Sequence, residues 1–98
     1  MLFAVLFTDQ PGHGALRAAH LEAHVAWVHA HRSRVLVAGS LRHEPGDVPK
    51  GGLWVVEAGS KAEVFELLQS DPFYTCGLRQ SIDIFHWSKA LPDHQALV

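Results

Sequence analysis

The chain has a single cysteine, Cys76, so no internal disulfide can form. It has no run of Lys or Arg; the five arginines are scattered at Arg17, Arg32, Arg34, Arg42 and Arg79, and the formal charge is −2. A nucleic-acid surface or an anionic membrane surface needs clustered positive charge, so neither is expected. No apolar run approaches the ~18 residues a membrane span requires. The opening MLFAVLF reaches only Phe7 and lacks both a positive leader and a small-residue cleavage site. It reads as a strand rather than a signal peptide, and a cytoplasmic protein is expected. There is no Gly-rich phosphate loop, no G-x-S-x-G and no CxxC. Nucleotide-dependent chemistry and the common serine-hydrolase mechanism are therefore not first expectations.

The chain is 98 residues long and 48% hydrophobic, with three Trp and five Phe. That is one domain, residues 1–98, with a core of ordinary size. Leu2–Thr8 shows no alternation, which predicts a strand buried on both faces. Asp9-Gln10-Pro11-Gly12 ends it as a turn. Ala15–His31 lacks Gly and Pro and predicts a helix whose N-cap is poorly marked. Val35–Ala38 predicts a second strand. Leu41–Gly52, with two Pro and three Gly, predicts a loop, and Leu53–Glu57 a third strand. Ser60 followed by Glu63 is a capping-box pattern ahead of a second helix. Asp71-Pro72 predicts a capped helical turn ending at Gly77. Ser81–Trp87 alternates as a fourth strand, with Ile82 and Ile84 on one face and Asp83, Phe85 and Trp87 on the other. Residues 89–98 read as a loosely held tail.

The order β-α-β-β-α-β predicts a ferredoxin-like α+β fold, a four-stranded antiparallel sheet with two helices on one face. The second sheet face would be a bare apolar patch in one chain, so a homodimer packed through that open face is expected.

At about 100° per residue, the first helix places Leu21, Val25 and Val28 in one apolar sector. Leu16, Ala19, Ala23, Trp27 and Ala30 form another. Arg17, His20, His24 and His31 form a narrow stripe between them, while Glu22 and His29 mark the solvated side. A stripe between apolar sectors borders either a crevice or a half-exposed helix edge. An imidazole there suits general acid–base work, above all when a carboxylate fixes its tautomer. His20 and His24 stand at i,i+4, but no third ligand is marked at a diagnostic spacing, so no metal is expected. Asp71 is the carboxylate best placed to pair with His24, with Asp9 and Asp83 as alternatives. Its structural role would be the cap at Pro72. Cys76 has no activating neighbour in sequence and reads as an inert thiol.

The pieces MLFAVLFTDQPG at 1–12, ALR at 15–17, HVAWV at 24–28, VLVAGSL at 35–41, GGLWVVEA at 51–58, SDPFYTCGL at 70–78 and SIDIFHWSKAL at 81–91 follow one another in order. In this the chain resembles the YCII-related (YciI-like) family. The resemblance implies a dimeric ferredoxin-like fold of the α/β-barrel type and an active site on a helix histidine and the aspartate of an Asp-Pro motif, here His24 and Asp71. Arg17 matches an arginine common in the family. The chemistry it implies is proton abstraction or elimination, including dehalogenation of chlorinated aromatics, and the same fold hosts lactone isomerases. Two departures stand out. Leu21 replaces an arginine frequent three residues before the histidine, and Ala38-Gly39-Ser40 replaces Ala-Gly-Pro.

The resulting expectation is a small lyase or isomerase that needs no cofactor. His24 is the general base or acid and Asp71 its partner. Arg17 and Ser40 hold polar groups of a small, aromatic-type substrate, and Phe7, Trp27 and Phe73 line the pocket. The alternative is a non-catalytic dimeric module that binds a small ligand or serves as an accessory subunit.

Overall fold

The computed structural model describes residues 1–98. The elements are β1 (Leu2–Asp9), α1 (Gly14–Ala30), β2 (Val35–Leu41), β3 (Gly51–Glu57), α2 (Lys61–Leu68), α3 (Pro72–Thr75) and β4 (Arg79–Trp87). The sheet order is β2-β3-β1-β4, and every pairing is antiparallel. This is the ferredoxin-like α+β arrangement expected from the element order.

β1 is central, with Val5 facing Trp54 of β3 on one side and Ile84 of β4 on the other. Its alternation is clear in three dimensions. Phe3, Val5, Phe7 and Asp9 are buried beneath the helices. Leu6, on the other face, is 37% exposed, so the expectation of burial on both faces is not met within one chain. The second face has no covering layer. Phe85 and Trp87 stay 54% and 43% exposed, and the tail from Ser88, exposed throughout, leaves them open.

The local signals for the short elements hold. Ser60 Oγ accepts the Glu63 N–H at 3.2 Å, while the Glu63 carboxylate takes the Gly59 N–H at 2.7 Å, one residue earlier than a strict capping box would place it. Asp71 caps α3 by accepting the Phe73 N–H at 3.1 Å, with Pro72 in the first turn. Gly77 follows at φ +80°, a conformation that favours glycine. α1 begins without any side-chain cap, as its sequence implies.

Most boundaries fall within two residues of expectation, and the largest departure is at the β2–β3 connection. β2 extends to Leu41 and β3 begins at Gly51, which shortens the connecting loop to residues 42–50. The glycines belong to the strand because no side chain fits there. A Cβ on Gly51 would lie 1.8 Å from the Phe7 carbonyl oxygen, and one on Gly52 would lie 2.9 Å from the Gly39 carbonyl oxygen.

The core joins Phe3, Val5 and Phe7 of β1 to Val35, Trp54 and Val56 of the neighbouring strands, roofed by Trp27 of α1 and by Val64 and Leu68 of α2. Truncating one of these, such as Leu68→Ala, removes about 2–5 kcal/mol. Of the two apolar sectors of α1, neither is buried whole; Trp27 is buried and Leu16 half-buried. Ala19, Ala23 and Ala30 are exposed, whereas the polar stripe of Arg17, His20, His24 and His31 shares the inward face with Trp27 and Val28. The helix turns polar groups inward because β1, β3 and the turn before α3 supply partners for them.

Candidate functional site

Two buried carboxylates organise this inward face. Asp9, the last residue of β1, points the same way as Phe7 by strand alternation. Its Oδ2 accepts Arg17 Nε at 3.1 Å and its Oδ1 accepts Arg79 Nη1 at 2.8 Å. Arg17 reaches on to donate Nη2 to the Gly51 carbonyl at 3.2 Å. Arg79, at the start of β4, pairs with Asp9 across the strand register. Its side chain is only 3% exposed. Its guanidinium lies 4.1 Å from the Phe7 ring centre and 5.1 Å from that of Phe73. Burial lowers the Arg79 pKa, while the hydrogen bond and charge of Asp9 push it back up. The group remains a cation.

Asp71 is 1% exposed and lies before α3, the element beside α1. Its Oδ1 meets His24 Nδ1 at 2.6 Å and also takes the Phe73 N–H that caps α3. The cap therefore locks the carboxylate in place for the imidazole. The His24 ring stacks on Phe73, with centres 4.0 Å apart and planes 11° apart. With Nδ1 engaged, Nε2 has no protein partner and is not sealed from solvent.

His24, Arg17 and Arg79 border a crevice of about 270 Å³ between α1 and the β2–β3 edge. Leu21, Val25 and Val28 form its helix wall, and Ala38, Gly39, Ser40 and Trp54 its sheet wall. A larger cavity, about 560 Å³, opens where β1 ends and α1 begins, beside residues 48–50. Arg17 is common to both and Asp71 lines neither, but His24 and Arg79 line only the smaller crevice, which is therefore the chemical candidate.

The other residues expected at the site fall in different places. Ser40 is on the crevice wall, where its hydroxyl accepts from Arg42 Nη2. Phe7 and Phe73 are core residues behind the crevice, beneath the guanidiniums and the imidazole. Trp27 is also a core residue outside the crevice lining, packed 5.4 Å from Trp54 and donating Nε1–H to Ser70 Oγ at 2.8 Å. No group of three His, Cys, Asp or Glu side chains is arranged to hold a metal ion. Of the alternative carboxylates, Asp9 is taken by the two arginines and Asp83 is exposed on strand β4. Arg79 was not singled out from sequence. The usable signal was Asp9 itself, since a carboxylate at an inward strand position demands a cation.

No curated protein matches the chain in sequence. Solved structures do resemble it. One is 5-chloro-2-hydroxyhydroquinone dehydrochlorinase (TftG) from Burkholderia phenoliruptrix AC1100, in complex with 2,5-dihydroxybenzoquinone. It is 27% identical, with a TM-score of 0.81 over 90% of this chain and 94% of that one. Another is a candidate antibiotic biosynthesis monooxygenase from Bacteroides thetaiotaomicron. At 14% identity and a TM-score of 0.60, over 99% of this chain and 95% of that one, it shares the fold alone. The model of the YCII-related domain matches residues 1–88, so nearly every element described above, from β1 to β4, falls within it, and the chain belongs to the YCII-related domain family.

Proposed function

We propose that this protein is a small cytoplasmic enzyme of the lyase or isomerase type, needing no cofactor, in which His24 and Asp71 move a proton on a small aromatic or quinoid substrate. The observation that carries this reading is the 2.6 Å contact between His24 Nδ1 and the buried Asp71 carboxylate, with Nε2 left free at the crevice. Asp71 accepts the Nδ1 proton, which leaves the Nε2 lone pair free to act as a base. The base takes a proton from carbon or oxygen of the substrate, and the imidazolium formed is balanced by Asp71. That proton then returns at another position, giving isomerisation, or a β-substituent leaves as an anion with the electron pair, the ring product is neutral and the imidazolium gives its proton to water, giving elimination. The likeness to a dehydrochlorinase supports the second outcome. Arg17 and Ser40 hold polar substituents, while Phe7, Trp27 and Phe73 supply the aromatic backing that keeps these groups in place.

The test is chloride release from a chlorinated hydroxyhydroquinone. His24→Gln should lower turnover by about 10²–10⁴-fold, the usual worth of a general base. Unchanged turnover would exclude the base role.

A second reading, a non-catalytic ligand-binding or accessory module, is favoured by one observation: Asp71 also caps α3, which gives the pair a structural purpose. Failure of the wild-type protein to turn over any halogenated or isomerisable ring compound that it binds would support it. In either reading we expect the open sheet face, with Leu6, Leu53, Phe85 and Trp87, to pack against a second copy. Native mass measurement should give two chains, and Trp87→Lys should give one.

A further inference from the structure

Asp9 offers two oxygens to two guanidiniums, and hydrogen-bond capacity is left over. Arg17 spends Nε on Asp9 and Nη2 on Gly51, and its Nη1 has no partner. Arg79 spends only Nη1. Its Nε is sealed from solvent without a partner, beside the Phe7 ring. Its Nη2 also lacks a partner but is not sealed, and Arg79 borders the crevice. A buried donor left unmade is costly, so a site with spare guanidinium donors is matched to an acceptor that comes and goes.

The surroundings hold that guanidinium ready. It lies over Phe7 at 4.1 Å and is tied at Nη1, so little orientational freedom remains. Phe73 ties the groups together, with His24 stacked on its ring and Arg17 and Arg79 4.9 and 5.1 Å from its centre. The charges also fit. Asp9 and Asp71 balance Arg17 and Arg79 while His24 is neutral. Once His24 takes a proton, the cluster carries one net positive charge.

We propose that Arg79 Nη2 is the oxyanion-binding group of the crevice, holding the conjugate base of an acidic enol, phenol or hydroxyquinone. This deepens the preceding reading and rests on it for the proton transfer. In that step the substrate's C–H or O–H bond breaks and the proton bonds to His24 Nε2. The electron pair delocalises onto the oxygen that faces Arg79, and no other reactant is consumed. The anion and the imidazolium are then held as a pair, because a charge-assisted donor favours the charged product.

The probe is 2,5-dihydroxybenzoquinone, an anion at neutral pH because each enolic hydroxyl is a vinylogous acid. Its neutral dimethyl ether serves as comparator, and absorbance titration reads both. The wild-type protein should bind the anion about tenfold or more tightly than the ether, the scale of a charge-assisted hydrogen bond. Arg79→Met should erase the preference. Arg79→Lys, which keeps the charge and protects folding if the Met variant unfolds, should reduce it several-fold. Equal binding of anion and ether by the wild-type protein would overturn the proposal, as would an undiminished preference in the Lys variant. His24→Gln separates the two ideas. It should keep the preference and lose turnover, whereas full turnover in that variant would remove the base and leave the Arg79 result standing.

Discussion

Asp9 and Asp71 are both buried acids on the same side of one sheet, yet they are built for different tasks. Asp9 is gripped by two guanidiniums, groups that do not give up their protons, and it ties β1, α1 and β4 together. Asp71 is gripped by a backbone N–H and an imidazole, a partner that can give or take a proton. Both are buried; under the proposed function, the partner's proton chemistry is what separates an anchor from a working pair.

The same substitution at both sites exposes the difference. Asp9→Asn leaves two buried guanidiniums facing a neutral group, and we expect a stability loss of about 3–5 kcal/mol in urea unfolding. Asp71→Asn preserves an oxygen for His24 and for the cap. It should lose only about 1–2 kcal/mol of stability but about 10²-fold in turnover. Equal stability losses would dissolve the contrast. A smaller effect is expected at Phe73, whose ring serves both clusters. Phe73→Leu should remove about 1–2 kcal/mol, the scale of the lost aromatic and cation–π contacts, and weaken activity several-fold. The smallest belongs to Arg34, whose 3.8 Å pair with Glu63 is exposed on both sides. Arg34→Gln should stay within about 0.5 kcal/mol, because water screens what burial does not protect.

The element order and the Asp71 cap were legible in the chain, while the pairing of positions 24 and 71 rested on the family resemblance, with Asp9 and Asp83 open as alternatives from the residues alone. The helix spacing, the Asp-Pro turn and the strand alternation are local signals. The Gly51-Gly52 start of β3 was not, since glycine reads as loop until the Phe7 carbonyl is found beneath it. The inward turn of the α1 stripe was one of two readings that the helix spacing left open. A helical wheel ranks Ala above Arg and His for burial, and only partners at positions 9, 51 and 71 reverse that order. Arg79 stayed hidden because its partner lies 70 residues away and the β1–β4 register shifts at Thr8/Asp9, where they meet. Leu21, where the family often has arginine, does border the crevice, but the guanidiniums there come from positions 17 and 79.

The two walls of the crevice are unequal in a way that bears on how this protein can change. Its polar end is built from groups that also anchor the fold, so drift there is punished twice. Leu21 and Val25 border the same space while exposed to solvent and outside the core. A mutational library confined to those two positions should yield folded proteins almost without exception, with ligand choice varying from clone to clone. Selection has a tunable side wall to work with and a back wall that it cannot touch.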